Sequence, residues 1–150
     1  TCAYGQLVAG LKTLIQSNST LSNMSLKCAT FTTSSRGTVT NSTAKGGTSG
    51  TTTYDDLCGA TPDTTSSTLR AISQIAAYWA GSGNKTDGLK FNCRSMDNSS
   101  QSSAISRGKI SGSPDVTIQC PSNYSLGGVI LKIGATDLGS IKGGICRHNP

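Results

Sequence analysis

The chain has 150 residues, a formal net charge of +6, six cysteines, 34% hydrophobic and 13% charged residues, a size and balance that suit one domain and exclude a repeat array or a multidomain enzyme. The charged share is about half that of an ordinary globular domain, whereas Ser and Thr take 43 positions, so neutral hydroxyls dominate the polar surface. All seven acids are Asp, and the absence of Glu, a favoured residue of exposed helices, tilts the expectation toward strands and turns.

Taken in chain order, the first block runs from Cys2 to Cys28, opening on Gly5-Gln-Leu-Val-Ala-Gly-Leu and closing on Met24-Ser-Leu-Lys-Cys28. Thr30 to Thr53 follows, nearly all Thr, Ser and Gly, where Phe31-Thr-Thr and Thr38-Val-Thr suit exposed edge strands and O-glycosylation is the alternative. The second block, Cys58 to Cys93, holds Leu69-Arg-Ala-Ile-Ser-Gln-Ile and then the alternating Leu89, Phe91, Cys93. Met96 to Pro114 is again hydroxyl-rich, with Ile105 and Ile110 as anchors, before Val116-Thr-Ile-Gln-Cys120 resumes a strand. The third block, Cys120 to Cys146, alternates Val129, Leu131 and Ile133.

Each block thus reads as two strands around a turn, the second ending on a cysteine. Three comparable blocks predict an all-β fold in which short antiparallel sheets are arranged with threefold pseudo-symmetry, in a single stapled domain over residues 1–150. Periodicity offers a rival. Leu69, Ile72, Ile75, Ala76 and Trp79 share a helical face behind Ser66-Ser67-Thr68, and Leu7, Leu11, Leu14 and Ile15 share another, so the alternative is α+β with helices near 5–16 and 67–80. The strand-like Val129-Ile-Leu-Lys-Ile decides for β throughout, because equivalent units share one structure.

An even number of cysteines with no Cys-x-x-Cys pair points to disulfides in an oxidising compartment rather than to zinc or redox chemistry. Six cysteines allow fifteen connectivities. Their separations of 26, 35 and 26 within blocks favour Cys2–Cys28, Cys58–Cys93 and Cys120–Cys146. Six of the eight asparagines open an Asn-x-Ser/Thr triplet (Asn18, Asn23, Asn41, Asn84, Asn98 and Asn123), where chance at this Ser/Thr content supplies about two. The expectation is a secreted, extracellular glycoprotein bearing N-linked glycans, a mature chain or an excised domain. No run is long and apolar enough to span a bilayer as a helix, and the thirteen cations form no stripe, so neither a membrane span nor nucleic acid is expected.

Ile75, Gly83, Asp87, Leu89 and Phe91 of block two, with Val129, Gly134, Asp137 and Ile141 of block three, repeat an order in which an apolar strand ends in Gly, a turn ends in Asp and an alternating strand follows. In this the chain resembles the jacalin-like and vitelline-membrane-outer-layer type of β-prism, across one stretch of each block; block one departs, with Asn18-Ser-Thr-Leu21 where Gly and Asp are expected. The resemblance implies three four-stranded sheets in a three-sided column. It also implies a carbohydrate-binding turn, for which Gly83 and Asp87 have the spacing and Asp137 is one residue short.

Beside that reading, Asp87 and Asp137 serve equally as turn-formers, and a glycan on Asn84 would cover the pocket mouth. His148, the only histidine, sits near the chain end, a poor seat for a nucleophilic relay. Asp55-Asp56 reads as a solvated turn rather than a calcium site, and Trp79 as core rather than a sugar platform. No metal, cofactor or catalysis is expected. The function expected is structural, in an extracellular coat, matrix or filament, with self-association or other extracellular glycoproteins as partners. A lectin module is the first alternative, and a small secreted hydrolase a distant third. If the triplets are used, enzymatic deglycosylation of the secreted chain will convert occupied asparagines to aspartate, read by peptide mass mapping; six unconverted sites would remove the glycoprotein expectation.

Overall fold

The computed structural model describes residues 1–59, 69–79, 85–133 and 138–150. Among them are eleven strands and no helix: β1 (Gln6–Ile15), β2 (Leu21–Thr30), β3 (Thr40–Asn41), β4 (Lys45–Gly46), β5 (Thr52–Leu57), β6 (Arg70–Tyr78), β7 (Gly88–Ser95), β8 (Ile105–Gly108), β9 (Val116–Gln119), β10 (Tyr124–Lys132) and β11 (Ser140–His148). They form three antiparallel sheets. The first runs β3-β2-β1-β5, with β4 also on β2; the second runs β8-β7-β6-β9; the third is β10-β11 alone. The fold is therefore all-β and prism-like. The sheets hold five, four and two strands instead of four each.

The helical rival fails for a physical reason. β1 and β6 are buried on both faces along most of their length, so their apolar residues form nearly continuous runs. Such runs contain helical spacings as a by-product.

The three hairpins β1-β2, β6-β7 and β10-β11 are copies of one unit. In each, a residue of the first strand faces the second strand's cysteine: Val8 faces Cys28, Ile72 faces Cys93, and Leu126 faces Cys146. A one-residue bulge follows at once, at Ala9, Ser73 and Gly127. The bulge frees a carbonyl, and each is taken by the N–H of a cysteine from elsewhere: Cys58 to Ala9 (2.8 Å), Cys120 to Ser73 (2.9 Å) and Cys2 to Gly127 (2.9 Å).

Those same cysteines carry the disulfides Cys2–Cys28, Cys58–Cys93 and Cys120–Cys146, which is the pairing the block separations favour. Consequently, a cysteine hydrogen-bonded to one hairpin is covalently tied to the next. Hairpin one is tied to two by Cys58, two to three by Cys120, and three back to one by Cys2. The ring closes on itself.

A guanidinium seals two of these joints on matching carbonyls, Arg94 from Nη2 alone and Arg147 from Nη1 and Nη2. Arg94, directly after Cys93, donates to the carbonyls of Cys120, Pro121 and Tyr124 at 3.2, 2.6 and 2.7 Å. Arg147, directly after Cys146, donates to Cys2, Ala3 and Gln6 at 3.0, 2.6 and 2.9 Å. The carbonyls sit at the same three offsets from a cysteine. They are presented by a turn with a left-handed residue, Asn123 in one copy and Gly5 in the other. At the third joint Ala29 holds the arginine's place, and Arg36 of the β2–β3 loop reaches the Cys58 carbonyl instead, at 3.1 Å. Ala29 is buried with Leu7, Phe31, Leu69 and Met96 in a small apolar cluster.

The main core gathers equivalent residues of all three units, among them Val8, Ile72 and Leu126, then Leu11 and Ile75, then Leu26 and Phe91. Gly144 stands where Leu26 and Phe91 stand in the other units. A Cβ there would come within 2.6 Å of Ile118 Cγ2, so the β9 side chain supplies the missing volume. Among the described residues no helix is long and apolar enough to cross a membrane.

Each disulfide removes about 3–4 kcal/mol of denatured-chain entropy in the loop-closure model, and the arginine joints add charge-assisted bonds to backbone carbonyls. Arg147 donates from two nitrogens, so Arg147→Ala should cost about 2–3 kcal/mol in urea unfolding and Arg147→Lys should recover less than half of it; full rescue by lysine would show that charge alone matters there.

Candidate functional site

Of the turn residues predicted to bind sugar, Gly83 and Asp137 lie outside the described residues, as does Asn84. Asp87 is described, and it is 2% exposed. Its backbone joins the first two units: the Asp87 carbonyl accepts from Leu21 N–H (2.8 Å) and Lys109 N–H (3.0 Å), and its N–H donates to Tyr78 (2.9 Å). Neighbouring Thr86 donates its N–H to Gly139 (2.6 Å) and accepts from Ile141 N–H on Oγ1 (3.0 Å). The Asp87 carboxylate has Lys85 Nζ 3.8 Å away. A carboxylate so enclosed offers no open oxygen pair to sugar hydroxyls. The segment is a structural joint between the hairpin ends. The spacing of Gly and Asp could not reveal this, because the groups bonded to Asp87 and Thr86 include residues 21, 109 and 139.

The other candidates are placed plainly. Asp55 and Asp56 lie on β5 rather than in a solvated turn: Asp55 pairs with Lys27, and Asp56 takes both branches of Arg107, at 2.8 and 2.7 Å. That bond to Asp56 raises the Arg107 pKa, and Tyr54 lies under the guanidinium at 4.0 Å. Trp79 is half-buried, with Lys142 Nζ 5.7 Å above its ring. His148 packs edge-on to Tyr124 at 5.0 Å and meets the Asn149 carbonyl through Nδ1 at 2.6 Å. Among the described residues no three His, Cys, Asp or Glu side chains are grouped to hold a metal.

Of the triplet asparagines, five are described, and none of the five is buried. Asn18, Asn41 and Asn123 are exposed, while Asn23 and Asn98 are half-buried. Asn23 donates to the Gly47 carbonyl at 2.6 Å. Asn98 and Asn123 face each other, Nδ2 of the first to Oδ1 of the second at 2.5 Å, both with left-handed backbone. Two glycans there would leave from adjacent points. Asp97 secures that turn; hydrogen bonds from the Ser99 hydroxyl, then the Ser99 N–H, then Ser95 hold its carboxyl below the ordinary value of 3.8. A lowered folded-state pKa means its contribution is present above pH 3.8 and fades as acid titrates through the lower value.

One open feature remains, and pairing the units on their cysteines exposes it. β5 ends at Leu57, directly before Cys58, and lies along β1 with Leu57 facing Gly10. β9 ends at Gln119, directly before Cys120, and lies along β6 with Gln119 facing Gln74. The third counterpart is Thr1, directly before Cys2. It lies against Gly128, where a Cβ would meet Thr1 Cγ2 at 2.5 Å. Thr1 therefore occupies the last position of a flanking strand. From Val129 to Lys132 no described residue is paired to that edge of β10.

A groove of about 360 Å³ runs there, between β10 and the β2–β4 side of the first sheet. Met24, Leu26, Val129 and Leu131 give it an apolar floor, and Ser42 and Lys45 stand on its rim. Ile130 and Ile133 are half-exposed beside it, at 51% and 50%. These residues are absent from the sequence-based site. The signal that finds them is the offset from each cysteine, and it acquires meaning only when β5 and β9 are seen in place.

Comparison with known protein families, with curated proteins and with solved structures finds no match to this chain.

The joint at Thr86 makes a stability prediction. Thr86→Val keeps the shape but strips the acceptor from the buried Ile141 N–H, so unfolding should become easier by about 1–3 kcal/mol; an unchanged melting curve would mean the hydroxyl is dispensable.

Proposed function

We propose that this protein is a non-catalytic, extracellular structural glycoprotein of a coat, matrix or filament, joined to neighbouring proteins through the apolar groove beside β10. The observation that carries the reading is the closed ring of joints, each a cysteine hydrogen-bonded to one hairpin and tied by its disulfide to the next. That ring supports the mechanical side of the role, since it holds the three sheets in fixed relation. Three disulfides and the exposed triplet asparagines Asn18, Asn41 and Asn123 support an oxidising, glycosylating compartment. The hydroxyl-rich surface, with N-linked glycans added, would make the remaining faces hydrated and non-adhesive.

Secreted from the cells that make it, the chain should be retained in insoluble extracellular material. Leu131→Glu, which places a charge on the groove floor, should move it into the soluble fraction while melting within a few degrees of the parent. A parent protein found free in the medium, or in the cytosol, would remove this reading.

A further inference from the structure

The five described triplet asparagines divide by the work of the side-chain nitrogen, which is the atom that an N-linked glycan is joined to. Asn23 and Asn98, the half-buried pair, use it as a donor: Asn23 to the Gly47 carbonyl at 2.6 Å and Asn98 to Asn123 Oδ1 at 2.5 Å. Asn18, Asn41 and Asn123 are exposed, and among the described residues no hydrogen bond takes their nitrogen. Two of these three are held by other atoms. Asn18 Oδ1 accepts from the N–H and Oγ1 of Thr20, the third residue of its own triplet, at 3.1 and 2.6 Å. Asn123 accepts from Asn98 on Oδ1 and donates its backbone N–H to Asn98 Oδ1 at 3.0 Å.

Glycosylation replaces one hydrogen of the nitrogen with a bulky sugar and leaves the amide oxygen in place. The two members of the Asn98–Asn123 clasp are therefore unequal. A sugar on Asn123 spares the oxygen that Asn98 binds, so the clasp between the turn after β7 and the turn before β10 survives. A sugar on Asn98 would stand on the half-buried nitrogen inside the clasp. Asn23 is closed off by β4, where Gly46 packs so tightly that a Cβ on it would come within 3.0 Å of the Asn23 Cα and Cβ. β4 could not settle on β2 over a modified Asn23.

We infer that the folded protein carries N-linked glycans on Asn18, Asn41 and Asn123 and none on Asn23 or Asn98, whose amides serve instead as donors between strands and between units. This rests on the reading of the chain as an extracellular glycoprotein and says which triplets that reading uses. A chain modified at Asn23 or Asn98 before folding loses a half-buried hydrogen bond and the fit of the segment opposite. The molecules that fold are those left bare at both.

The test uses the full chain secreted from eukaryotic cells. Enzymatic deglycosylation in heavy-oxygen water, followed by peptide mass mapping, should convert Asn18, Asn41 and Asn123 to labelled aspartate and leave Asn23 and Asn98 as asparagine. Conversion of Asn23 or Asn98, or failure of any of the other three to convert, overturns the inference while the chain remains a glycoprotein. No conversion at all five removes the glycoprotein reading and the inference together. The deglycosylated material gives a second readout. Asn18→Asp, Asn41→Asp and Asn123→Asp should melt with the parent, in which the enzyme has already made those aspartates. Asn23→Asp and Asn98→Asp should each melt about 3 °C or more below it, because a carboxylate has no hydrogen to donate to Gly47 or Asn123. Aspartate accepts the left-handed backbone of Asn98, at φ 62, so that substitution isolates the nitrogen. Melting equal to the parent overturns the donor role, and the mass map of the parent decides by itself if either variant is not recovered. A chain glycosylated in this pattern yet never retained in insoluble extracellular material would sink the structural role and leave the assignment standing.

Discussion

The molecule depends on one repeated joint: a cysteine whose N–H is held by the bulged carbonyl of one hairpin while its sulfur is bonded to the next. Neither half suffices alone. The hydrogen bond sets where the cysteine sits, and the disulfide carries that placement across to another sheet, so three joints turn three marginal hairpins into a closed ring. Isolated two-stranded ribbons are barely stable in water, and this chain, with one Trp and two Phe, has few large side chains with which to compensate. Covalent closure offsets that deficit.

The pseudo-symmetry is informative where it breaks. At one joint the arginine following the cysteine becomes Ala29, and an apolar cluster with Phe31 and Met96 takes over the space while Arg36 reaches the orphaned carbonyl from a loop. In the third unit Gly144 yields its volume to Ile118. These two breaks are compensated within the chain.

The rest of the surface suits a hydrated outer shell. The short strands β3, β4 and β8 edge the two larger sheets on one side, too brief to template further pairing, while β5 and β9 form their opposite edges and β11 is an edge of the third sheet. The ionic contacts are sparse and local: Arg107 with Asp56 pins β5 to the second unit, and Lys27 with Asp55 reinforces it within the first sheet.

The amino-acid order alone determined the all-β class, the three blocks and the disulfide pairing, because cysteine separations and alternating apolar residues are local quantities that survive without coordinates. It could not place Asp87 or Asp55-Asp56, whose surroundings come from other segments: Leu21, Lys109 and Tyr78 around the first, Lys27 and Arg107 around the second. Strand counts per sheet were likewise beyond it. Whether a stretch such as Thr52–Leu57 joins a sheet depends on which edge it meets, not on its own composition. Only the tertiary structure decided which bulge receives which cysteine, since that joint is a relation among distant segments and no single one of them encodes it.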